Sequence, residues 1–205
     1  MSKSENPNSI TNNIEINKIH LALFVEKLKN NSFNDSVDGL ISRLQSELEK
    51  KNAEFLNFLE EGNNANQGYY LDTNFLEDRL LALSEMKVVY AYKNFEINIK
   101  QLIGGAYGVD TKIFYEWKEI TTFLKSKEIE YIHLKGYQEI LDLRNVNNSI
   151  KHSTHGIDNK IKYILEFSKI NQMRHFELSE FLDRIKDFPN KFLDDLSSKI
   201  SDNLY

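Results

Sequence analysis

Proline occurs only at Pro7 and Pro189, and the whole chain between them is free of it. Proline is the residue that a helix interior tolerates least, at a cost of about 3 kcal/mol. Nothing in this long stretch therefore forbids long helices, and the apolar residues are spaced as helices require. Ile16, Ile19, Leu23, Phe24 and Leu28 mark a first helix ending in the polar turn at 30–35. Leu40, Leu44, Leu48, Phe55 and Leu59 mark a second over 36–61, followed by a loop at 62–68 (GNNANQG). Phe75, Leu80, Val88, Phe95 and Leu102 trace a third, opening at the capping residues of 72–74 and closing at the glycines of 104–105.

Further helices are predicted over 110–125, 126–152, 158–171 and 176–188, with an acidic tail after Pro189. No strand-like alternation is long enough to build a sheet. The spacing thus predicts an all-α helical bundle of about six to seven helices. Residues 1–13 are expected as a disordered tail, 14–70 as an N-terminal helical pair and 71–205 as the main helical domain.

Composition narrows the chemistry. With no cysteine, thiolate catalysis, disulfides and cysteine-based zinc sites are excluded, and a reducing compartment is favoured. A net charge of −5 does not suit a general nucleic-acid coat, although a local basic patch is compatible with it. The first 13 residues lack the apolar centre of a signal peptide, and no apolar run approaches the ~18 residues of a membrane span. A soluble, cytoplasmic protein with no membrane partner is expected.

The helix over 126–152 changes character along one face. At about 100° per residue, His133, Tyr137 and Ile140 lie within about 40° of Arg144, and Asn148, Lys151 and His152 within about 80°. The stripe therefore begins as core and ends as Arg144, Asn148, Lys151 and His152. Polar groups on a core-facing stripe need partners, a cleft or water. In one reading the stripe has reached the surface, and Arg144 binds a carboxylate such as Glu77, Asp78 or Glu85. In the other it is a catalytic pair, with a histidine able to move a proton near neutral pH and an arginine able to hold a phosphorane-like charge. RNA carries its own nucleophile, the 2′-OH, so such a pair needs no metal. Residues 144–175 also hold six lysines and arginines against two acids, and three of the five histidines.

The run LDLRNVNNSIKHS (141–153), after LLALSEMKVVYAYKNFEINIKQLI (80–103) and FYEWKEITTFLKSKEIEYIHLKGYQEI (114–140), resembles the HEPN superfamily of small α-helical domains. In that family a helix ends in an arginine followed by a polar residue, with a histidine about one and a half turns later. The resemblance covers residues 72–170. It implies a HEPN-like core, no metal and no cofactor. It also implies a homodimer, RNA as ligand, and an antitoxin or defence-system protein as partner. The activity implied is that of a metal-independent endoribonuclease of toxin or phage-defence type. The alternative, as in members that have lost activity, is a helical protein- or RNA-binding module. His152 matches the family histidine and Asn148 the polar residue, whereas Asn147 stands where the arginine is expected. The nearest arginine is Arg144, with seven residues between it and His152. Carried over, His152 transfers the proton, Arg144 clamps the phosphate, and Asn147, Asn148 and Lys151 position the substrate.

Other signals point to ordinary structure. His152 and His155 lack a third metal ligand, and Gly104, Gly105 and Gly108 follow a helix and lack the lysine of a phosphate loop. Tyr90, Tyr92, Phe95 and Trp117 are the aromatics weighed for base stacking, with core packing as the alternative.

Overall fold

The computed structural model describes residues 7–29, 33–60, 67–152 and 156–204, with side chains over 18–29, 37–60, 73–152 and 156–204. The fold is all-α, as the spacing predicts. The described residues form seven α-helices: α1 (Pro7–Lys29), α2 (Phe33–Glu60), α3 (Gln67–Tyr107), α4 (Trp117–Ser126), α5 (Tyr137–His152), α6 (His175–Ile185) and α7 (Phe188–Leu204). Among these residues no strand forms beyond an isolated antiparallel bridge between Gly156 and Gln172, and no helix is long and apolar enough to cross a membrane.

The chain divides into two compact units built from interleaved segments. The first takes residues 1–31, 93–140 and 187–205, and the second takes 32–92 and 141–186. In the first unit, Phe95, Ile99, Leu102 and Ile103 of α3 pack with Ile120 and Leu124 of α4 and with Phe192, Leu193, Leu196 and Ile200 of α7. The Phe95 and Phe192 rings meet edge to face at 5.4 Å. Val25 and Leu28 of α1 close this core. Asn98 Nδ2 donates to the Leu28 carbonyl at 2.8 Å, and Lys29 pairs with Asp194 of α7 at 2.6 Å. In the second unit, Val37, Ile41 and Leu44 of α2 pack on Leu76 and Leu80 of α3. A further cluster joins Val88 and Tyr92 of α3, Leu143 and Val146 of α5, Ile161, Ile164 and Phe167 of the 156–172 segment, and Leu178, Phe181 and Ile185 of α6.

The helix boundaries depart from expectation in physically informative ways. Residues 7–13, expected in the tail, lie in α1, where proline suits a first helical position because its missing N–H has no helical partner to lose; residues 1–6 lie outside the described residues. Most of the expected loop at 62–68 also lies outside them, and Gly68 is already helical. The third helix runs through Gly104 and Gly105, because burial of Leu102 and Ile103 outweighs about 1 kcal/mol per glycine. It ends instead before Gly108, whose φ of 65° provides the left-handed stop.

The single helix expected over 126–152 is two elements. After α4 the chain turns through Glu128 (φ 60°), a 3₁₀ turn at Tyr131–His133 and Gly136 (φ 82°) before α5 begins. His133 is therefore not on α5. The predicted helix over 158–171 is a run of turns with one 3₁₀ turn, Leu165–Phe167. The expected acidic tail is α7, an amphipathic helix with Pro189 in its first turn.

Candidate functional site

All five residues singled out near the end of the 126–152 stretch lie on α5 within the second unit. They do not share one environment. Arg144 and Asn148 are half-buried, while Lys151 and His152 are exposed. Arg144 forms no ion pair with a described carboxylate, so the expected partnership with Glu77, Asp78 or Glu85 is absent. Arg144, Asn148, Lys151 and His152 project within a sector of about 100°. This face of α5 is cationic and holds no acidic residue.

Asn147 stands apart. It is 1% exposed, its Nδ2 donates to Asn148 Oδ1 at 3.2 Å, and its own Oδ1 has no donor among the described residues. The position that matches the family arginine is thus inside the protein, and Asn147 is no surface positioning group. Of the aromatics considered for stacking, Tyr92 and Phe95 are core residues, and Tyr90 and Trp117 are half-buried.

Beside the α5 face the 156–172 segment is held in a defined shape. Asp158 Oδ1 accepts from the backbone N–H of Lys160 (2.7 Å) and Ile161 (3.2 Å), which sets the first turn. The bridge between Gly156 and Gln172 closes the far end. Arg184 of α6 grips the segment through its middle. Its guanidinium donates to both carboxylate oxygens of Glu166, at 2.6 and 3.2 Å, and to Asp142 of α5 at 3.4 Å. The Glu166 and Asp142 side chains are only 7% and 8% exposed, and the guanidinium lies over the Phe181 ring at 5.4 Å. One cation thus compensates two buried carboxylates on two elements.

The same segment is tied to α5 through Tyr163. Its hydroxyl accepts from Asn145 Nδ2 at 2.7 Å, while the residue as a whole stays 55% exposed. Partial burial, together with the Asp142 carboxylate, raises the phenol above its usual range. Lys160, Lys162 and Lys169 are exposed on this segment, and none makes an ion pair with a described residue.

Two members of the predicted basic cluster drop out. Arg174 is bound by Glu177. His175, at the start of α6, is enclosed: Ser84 Oγ lies 2.6 Å from its Nδ1, and Gln45 Nε2 lies 2.9 Å from its Nε2. Ser84 Oγ donates to the Leu80 carbonyl at 3.0 Å, so His175 Nδ1–H donates to Ser84 and Nε2 accepts from Gln45. That arrangement suits only a neutral imidazole, and burial, aided by the Lys87 charge, lowers its pKa. Lys87 is itself paired with Asp38. His155 lies outside the described residues. The positive charge that remains belongs to Arg144, Lys151, Lys160, Lys162 and Lys169.

Sequence reasoning misses Asn145, Tyr163 and Arg184. Tyr163 has a usable signal, an aromatic residue next to Lys162 in the most basic part of the chain. Arg184 has none, because its partners are 18 and 42 residues away in sequence. No family model matches the chain, and neither a curated protein nor a solved structure is matched by it.

Proposed function

We propose that the protein is an RNA-binding helical protein of HEPN-like type, whose α5 face receives the sugar–phosphate backbone. The observation that carries this reading is Arg144: a half-buried arginine with no carboxylate partner among the described residues, on one face with exposed Lys151 and His152. A guanidinium in that state retains its full capacity for a phosphate. In a cleaving form His152 takes the 2′-OH proton and the 2′-oxygen attacks the adjacent phosphorus. The departing 5′-oxygen then recovers the proton from the imidazolium, leaving a 2′,3′-cyclic phosphate.

One observation favours the form that binds without cleaving. Asn147 replaces the arginine of the HEPN pattern and is buried, so it cannot neutralise a phosphorane. The test uses single-stranded RNA in EDTA, with affinity read by fluorescence anisotropy over a salt series and products read for cyclic-phosphate ends. Wild type should bind. Arg144→Ala should weaken binding and flatten the plot of log K against log salt by about 0.7, one phosphate contact on a single strand. Cleavage lost in both His152→Ala and Arg144→Ala assigns the catalytic form; binding without cleavage assigns the module. Absence of RNA binding, or equal binding by Arg144→Ala, refutes the reading.

A further inference from the structure

We infer that Tyr163 is a stacking platform for an unpaired nucleobase, so that the RNA taken by this face is single-stranded. The inference rests on the function proposed above and specifies its ligand. A surface tyrosine that is simply solvated leaves both its hydroxyl and its ring free to reorient. The Tyr163 hydroxyl is instead held by α5, accepting from Asn145 Nδ2 at 2.7 Å, and more than half of the residue remains open. The ring is therefore presented in one orientation, and little side-chain entropy remains to be lost when a base covers it.

Its placement matches a nucleic-acid strand. Asn145, which holds the hydroxyl, follows Arg144 directly in sequence and lies within about 20° of His152 around α5. The ring is thus tethered at the edge of the cationic face. Lys160 and Lys162 are exposed on the same segment, so cations flank the ring in the sequence on one side and on α5 on the other. Sequence-tolerant single-strand sites combine these two elements, an aromatic surface for a base and cations for the adjoining phosphates. A paired base in a duplex cannot offer its face in this way. The support is braced because Arg184 joins Glu166, three residues beyond the tyrosine in sequence, to Asp142 of α5, the helix that carries Asn145.

The test compares single-stranded RNA carrying 2-aminopurine with a duplex of the same sequence, using the full chain in EDTA. Wild type should prefer the single strand, and binding should quench 2-aminopurine through stacking. Tyr163→Ala should weaken single-strand binding by about fivefold to a hundredfold, the range of one base–aromatic stack, and abolish the quenching. Tyr163→Phe, which keeps the ring and loses the anchor, should retain quenching with a smaller loss of affinity. Circular dichroism of both variants reports that the helices are intact. Binding that depends on Arg144 but is unchanged in Tyr163→Ala, or equal affinity for duplex and single strand, overturns this inference and leaves the proposed function standing. Absence of RNA binding by wild type overturns both.

Discussion

Replacing Arg184 by methionine removes a charge while retaining most of the stem that packs on Phe181, and it leaves Glu166 and Asp142 without their shared cation. Breaking a fully buried ion pair costs about 3–5 kcal/mol, whereas an exposed pair is worth about 0–1. Here the carboxylates are 7% and 8% exposed and the arginine 34%, so the loss lies below the buried limit. We expect about 2–3 kcal/mol, which corresponds to a urea midpoint roughly 1 M lower and a Tm lower by about 4–12 °C for a chain of this size. Urea titration followed by far-UV circular dichroism measures it at pH 7. Adding Glu166→Gln to Arg184→Met should restore part of the loss, because one uncompensated buried charge is then removed. A midpoint within about 0.2 M of wild type, or no recovery in the double variant, would show that water already screens the cluster.

Two further expectations concern buried polar groups. Because the folded pKa of His175 is lowered, the unfolded chain takes up the proton first. Its contribution is therefore complete above about pH 6.5 and is lost as pH falls through the window beneath. His175→Gln should flatten the stability profile between about pH 5 and 7.5; an unchanged profile refutes the neutral assignment. At Asn147, leucine should raise stability by about 1 kcal/mol by removing the unpartnered Oδ1. Arginine there should instead lower it by several kcal/mol, since a guanidinium would be buried without a partner. Thermal melts decide both, and an Asn147→Arg variant that is as stable as wild type and gains RNA cleavage would refute the placement of this residue.

The helical class is legible because it depends on composition and local spacing. Leu80, Val88 and Phe95 announce α3, and they are buried in α3. The errors arise where local pattern and tertiary context compete. Ile161, Ile164 and Phe167 mimic a helix face by their three-residue spacing, yet they are brought inward by turns and a 3₁₀ element. Pro189 reads as a stop, although proline is harmless in a first turn, and the stripe of Phe192, Leu196 and Ile200 behind it is buried. Gly136 does signal the break before α5, but a continuous wheel drawn through His133 passes over it. For the candidate site, sequence locates the α5 face. It does not separate buried Asn147 from exposed Lys151, because adjacent turns of one helix differ in burial only through what packs on them. The Arg184 cluster depends on residues distant in sequence and lies beyond any local pattern.

The pairing of α1 with α7 has a consequence for how the chain is made. Synthesis is vectorial, and α1 emerges from the ribosome long before Asp194, Phe192 and Ile200, against which its unit is completed. Every segment of the second unit precedes residue 187, so that unit has all its parts while the first still lacks α7. A nascent chain stalled with residue 186 outside the tunnel should already protect α2 from protease, yet release fragments cut within α1. Maturation would thus proceed against the order of the first two helices, and the interval before α7 arrives is when the apolar side of α1 is most open to chaperones or to misassembly.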